Sequence, residues 1–169
     1  MNLLPKVVFL FILFSIIFPT AVLADPEKTI TATVLPTLVS LTIDISAVDY
    51  GSVPLGTIER APLNDPKISV IHNGNVNEDF AIRGSNAISN ITWTLSDSPG
   101  ANLYVHKYGV AAPPAIPDSF VPMSASNANF AINLTPSESR NLKLRISTPT
   151  STNSYSQLTA SVYLTALQH

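Results

Sequence analysis

The 169-residue sequence contains no cysteine. A chain without thiols forms no disulfide, builds neither a thiolate zinc site nor a copper site with a Cys ligand, and cannot carry a lipidated cysteine anchor. Its stability must come from packing alone. Charge is also sparse: nine Lys and Arg stand against eleven Asp and Glu. Without Lys6, which lies in the leader described below, eight basic side chains face eleven acidic ones, a net of −3. Nucleic acid and anionic lipid are normally met by clustered Lys and Arg, so neither is expected as a partner. The six glycines fall in no GxGxxG or Walker spacing, which excludes a phosphate-cradling loop. After residue 24 there is no amphipathic helical period and no long apolar run.

The one long apolar run is at the start. Lys6 supplies a short basic region, and residues 7–17 carry no charge and a single hydroxyl, Ser15. Pro19, Thr20, Ala21, Val22, Leu23 and Ala24 follow as a cleavage region, in which Val22 and Ala24 fit the −3 and −1 positions. The expected cut lies between Ala24 and Asp25. The run before Pro19 is shorter than the roughly 20 residues needed to span a bilayer. Residues 1–24 are therefore read as a cleaved signal peptide, and residues 25–169 as one exported domain that is secreted, periplasmic or cell-surface, with no stable membrane insertion. A domain of 145 residues can bury on the order of 70% of its unfolded surface.

Within that domain, apolar and polar residues alternate with a period of two in one short run after another. Ile30, Ala32 and Val34 alternate with Thr29, Thr31 and Thr33, so residues 26–35 read as a first strand ended by Pro36. Leu41, Ile43 and Ile45 form the next apolar row. Strands are expected at residues 67–71, 79–83, 91–95 and 102–108, then around Phe130, Ile132 and Leu134. Leu142, Leu144 and Ile146 face one way while Lys143 and Arg145 face the other, toward water. Ala160, Val162, Leu164 and Ala166 mark the last strand.

The turn residues sit between these runs. His72-Asn73-Gly74-Asn75 predicts a tight reversal that makes ISVI and FAI antiparallel neighbours, and Ser98-Pro99-Gly100 predicts another. Residues 109–129 hold Pro113, Pro114, Pro117 and Pro122 and read as a long surface connection with an edge segment at residues 120–123. The expected fold is all-β, an immunoglobulin-like antiparallel β-sandwich of about 7–9 strands. Its core is expected to include Ile43, Val70, Phe80, Ile82, Trp93, Leu142, Leu144, Val162 and Leu164, with Trp93 between the sheets.

Candidate chemistry is thin. The three histidines, His72, His106 and His169, are at least 34 residues apart and lack HxH or HxxxH partners, so no metal is expected. GxSxG does not occur, and no catalytic residue or cofactor site is assigned. Glu78 and Asp79, adjacent on a strand, point to opposite faces and read as a solvated turn. Asn90-Ile91-Thr92 and Asn133-Leu134-Thr135 match the N-glycosylation sequon.

Four stretches, DYGSVPLGT, ISVIHNGNVNEDFAIRG, LTPSESRNLKLRI and TASVYLTA, resemble the hydin-like (ASH-type) immunoglobulin-like domains and their exported bacterial-type relatives. That resemblance implies an interaction or structural module without shared catalytic residues. The expected function is a non-catalytic secreted or cell-surface module that binds protein or self-associates. The second reading is a polymerising, pilus-like subunit that uses residues 25–37 for strand exchange.

Overall fold

A computed structural model of the chain describes residues 31–153 and 155–169. Leu35–His169 forms one compact unit, and the described residues before it, 31–34, carry no regular structure. Ten strands and no helix occur among the described residues. They are β1 (Leu41–Ile43), β2 (Ile68–His72), β3 (Glu78–Gly84), β4 (Ala87–Ile88), β5 (Thr92–Leu95), β6 (Leu103–Ala111), β7 (Val121–Pro122), β8 (Ala128–Leu134), β9 (Ser139–Ser147) and β10 (Val162–Gln168). The all-β expectation holds. The count exceeds the expected 7–9 because short edge pieces, β4 and β7, add to the main strands.

The strands make two sheets. A seven-stranded sheet has the order β1-β2-β9-β6-β5-β4 with β7 also beside β6, and a three-stranded sheet has the order β10-β3-β8. Their facing sides share one core, in which Ile68, Val70, Tyr108, Leu142 and Leu144 of the larger sheet meet Phe80, Ile82, Ala131 and Leu134 of the smaller. Strand β9 is central, pairing with β2 through Ile68↔Leu142 and with β6 through Tyr108↔Leu144. Its inward Leu142 and Leu144 are buried as the alternation required.

The outward row of β9 does not simply meet water. Lys143 Nζ lies 2.6 Å from an Asp65 carboxylate oxygen and Arg145 donates to the other at 2.7 Å, while the Arg145 guanidinium stacks 4.4 Å from the Phe120 ring centroid. These two cations hold the Asp65 carboxyl below the usual carboxylate range, Arg145 contributing most. The outward face of a central strand is thus clipped to the connections that cross it.

Several sequence expectations are corrected. Strands β2 and β3 belong to different sheets, so residues 73–77 cross between sheets and form no hairpin. Asn73 and Gly74 are not among the residues of positive φ, which the reversal required. Glycine is needed at 74 for space: a Cβ there would collide with the Glu78 carboxylate and the Leu38 carbonyl. Strands β5 and β6 pair in parallel, Thr94↔Leu103 and Leu95↔Tyr104, so Ser98-Pro99-Gly100 lies in a return loop and makes no antiparallel reversal.

The edge segment expected at residues 120–123 forms as β7, and the strands on either side reach into residues 109–129. β6 runs on to Ala111, and β7 returns against it at Lys107↔Pro122, an edge position that proline tolerates. Met123 beyond it is 1% exposed. In β8 the period of two is interrupted: Asn133 at φ 54° shifts the phase, so Leu134 and Ala131 are buried while Ile132 is 62% exposed. Trp93 does not fill the space between the sheets. It is half-buried on β5, where its Nε1 donates to Thr152 Oγ1 at 3.0 Å and its ring tilts against Tyr104. Phe80, Tyr108 and Met123 take the central positions. The expected first strand is absent where it can be seen: residues 31–40 carry no strand, and residues 26–30 lie outside the described residues.

Candidate interaction cleft

The two sheets fail to close along one side. β1 pairs only with β2, and β10 pairs only with β3, so among the described residues no ladder joins these two edges. Between them opens a cleft of about 1300 Å³. Leu41, Ile43 and Ile45, with residues 46–55, form one wall; residues 155–161 with Val162 and Leu164 form the other. Ile68, Leu142, Leu144 and Ile146 line it from the larger sheet, together with Trp93 and His106. The reason is local. β1 is three residues long, and the chain after it passes through Asp49 and Gly51, where φ is 65° and the Asp49 carboxylate accepts the Gly51 N–H at 2.8 Å.

Of the residues expected in the core, Ile43, Trp93, Leu142, Leu144, Val162 and Leu164 line this cleft. Ile43 is 39% exposed, and Val162 and Leu164 are half-buried. Their alternation is genuine, and Val162 and Leu164 pack against the core on β10, whereas Ile43 does not.

A buried polar pair also lies on the lining. The Tyr50 hydroxyl and His106 Nε2 are 2.9 Å apart, their rings edge to face. Burial pushes the His106 pKa down to about 4, so the imidazole is neutral near pH 7. Burial likewise raises the Tyr50 phenol, with the Arg145 charge opposing it. His106 Nδ1 is buried without a hydrogen-bond partner. Tyr104 donates its hydroxyl proton to the Ser85 carbonyl. These neutral groups suit hydrogen bonding.

A second polar cluster closes one end of the core, where the β2–β3 and β8–β9 connections cross between the sheets. His72 accepts no solvent: its Nδ1 lies 2.8 Å from the Thr135 carbonyl and its Nε2 3.0 Å from Glu78 Oε1, with both side chains 0% exposed. A carbonyl can only accept, so Nδ1 donates to Thr135. Glu78 is therefore not part of a solvated turn, although Asp79 does point to the opposite face, where it meets His169 at 2.7 Å. The Asp79 carboxyl is held low chiefly by the Asn133 backbone N–H, with His169 assisting.

The same cluster grips the chain entering β1. Glu78 Oε1 accepts the Ser40 N–H at 2.8 Å; Asn75 Oδ1 accepts the Leu38 N–H at 2.7 Å, and Asn75 Nδ2 donates to the Pro36 carbonyl at 2.8 Å. Backbone bonds from Asn75 N to Leu38 O and from Asn73 N to Ser40 O complete the clamp. Nothing in the sequence marked Asn75 or Glu78 for this role, since their partners lie 37 to 39 positions away.

The structure keeps the three histidines apart, each with its own partner: Glu78, Tyr50 and Asp79. Among the described residues no group of three His, Cys, Asp or Glu could hold a metal ion. Sequon residues Asn90 and Asn133 are both exposed. The cleavage-site residues Ala24 and Asp25 lie outside the described residues. No protein-family model, curated protein or solved structure matches the chain.

Proposed function

We propose that this chain is a non-catalytic exported module of the immunoglobulin-like, hydin-like kind, which binds protein by accepting an extended segment along the free edge of β10. The observation that carries this reading is the cleft between two strand edges that each pair on one side only. A β-edge offers unpaired N–H and C=O groups to an added strand, and a cleft beside it takes every second side chain. The lining fits an alternating peptide: Ile43, Val162 and Leu164 receive apolar side chains, and the neutral Tyr50–His106 pair offers a polar contact. Net charge and the missing chemical motifs support a protein partner over nucleic acid or a small-molecule substrate.

The test is a displayed library of 12-residue peptides panned against the mature protein, with Ile43→Glu as counter-selection. Ile43 is partly exposed, so the variant should fold. Enrichment of alternating apolar sequences that protect β10 amides from hydrogen exchange, and lose binding with Ile43→Glu, is expected. A library yielding no binder dependent on Ile43 would refute the reading.

A further inference from the structure

We infer that the occupant of the cleft is residues 29–35 of a second copy of this chain, so that the exported protein assembles head to tail by strand exchange. The inference rests on the cleft reading above and names its partner.

The segment TITATVL has the properties the cleft demands. Ile30, Ala32 and Val34 alternate with threonines, residue types that favour extended backbone. Its seven residues equal the seven of β10, and the three apolar side chains of its alternating row match in number the three that β10 packs inward, Val162, Leu164 and Ala166. Yet the described part of this stretch forms no strand, and its end is left uncovered: Val34 is 86% exposed and Leu35 77%. An apolar alternating segment without a sheet, and a cleft flanked by the apolar rows of two edge strands, occur in one chain.

The clamp explains why the two meet between copies. Residues 36–40 are held extended by Asn75 and Glu78, next to the place where β10 ends at Gln168↔Glu78. β1 begins one residue later and is itself a wall of the cleft. For the arm to enter its own cleft, the chain would have to reverse at Leu35-Pro36, where the residue before proline is driven toward extended backbone. Held this way, the arm is presented to a neighbour. Arm and cleft are different surfaces, so the contact is heterologous and each added copy leaves a fresh arm and a fresh cleft, which gives an open filament instead of a closed dimer.

The experiment uses full mature protein, residues 25–169, in sedimentation velocity and negative-stain microscopy. Wild type should form concentration-dependent linear oligomers. Ala32→Asp, which spoils the arm, and Ile43→Glu, which spoils the cleft, should each be folded and monomeric. Mixed, they should form a 1:1 heterodimer and stop, because the complex retains only the two spoiled surfaces. A synthetic peptide of residues 25–37 should bind Ala32→Asp and lose at least tenfold in affinity for the double variant with Ile43→Glu. Assembly by Ala32→Asp equal to wild type, a monomeric wild type, or a mixture that does not pair would overturn the inference. If library-selected peptides bind through Ile43 while the 25–37 peptide does not, the cleft reading stands and the self-assembly inference alone fails.

Discussion

Where β3 and β8 pack against β2 and β9, alternate residues are sealed: Val70, Phe80, Ile82, Leu134 and Leu142 are at most 1% exposed. Where β1 and β10 approach, an equally regular alternation leaves Leu41, Val162 and Leu164 half-buried and Ile43 39% exposed. The two halves have the same binary pattern and differ in whether a facing surface exists. A period of two reports which side of a strand is apolar; it does not report what covers that side. On the sealed side the cover is the other sheet, and on the open side the two edges stand apart across the cleft.

Five substitutions would sharpen or break this contrast. The largest effect belongs to the sealed half: Leu142→Ala should cost about 2 to 5 kcal/mol in denaturant unfolding, since a cavity is left with little room to collapse. The second is pH dependence. His106 is held neutral by burial, with a folded pKa of about 4 below its ordinary 6.5. The unfolded chain binds the proton first as pH falls, so stability is full above about pH 6.5 and declines toward pH 4, by at most about 3 kcal/mol from this group. His106→Gln should flatten that part of the thermal-midpoint profile, and an unchanged profile would mean that the imidazole is not sealed.

Third, Gly74→Ala should cost about 1 to 3 kcal/mol, as the added methyl displaces the Glu78 carboxylate and strains the clamp. Hydrogen exchange of the Leu38 and Ser40 amides should rise in parallel. The smallest effects fall in the open half and on the outer face. Ile43→Ala should cost less than about 1 kcal/mol in the isolated monomer, because little surface is withdrawn from water there. Lys143→Ala should also cost below about 1 kcal/mol, since Arg145 retains Asp65. An Ile43→Ala penalty as large as that of Leu142→Ala would show the cleft to be closed in solution and would end the comparison.

Much of the fold was legible because strand alternation is a local property. The rows Leu142–Leu144 and Val70 with Phe80 and Ile82 could be placed inward from their neighbours alone. Trp93 could not, because its partners Thr152 and Tyr104 are decided by a parallel pairing that no turn residue announces. The cleft was legible only in part. Ile43, Val162 and Leu164 were recognised as apolar-facing, whereas the Tyr50–His106 contact joins residues 56 positions apart and leaves no trace in spacing.

By itself, the sequence determined that the chain is all-β, that no thiol or clustered charge could serve it, and which side of most strands is apolar. These follow from residue types and a two-residue period, which act over a few bonds. The tertiary structure decided which strands share a sheet. It turned Asn73-Gly74 into a crossover, buried His72 against Glu78, and left β1 and β10 unpaired across an apolar cleft. Those outcomes depend on how long each strand can extend before the chain must cross, and on contacts between residues dozens of positions apart, which no local pattern encodes.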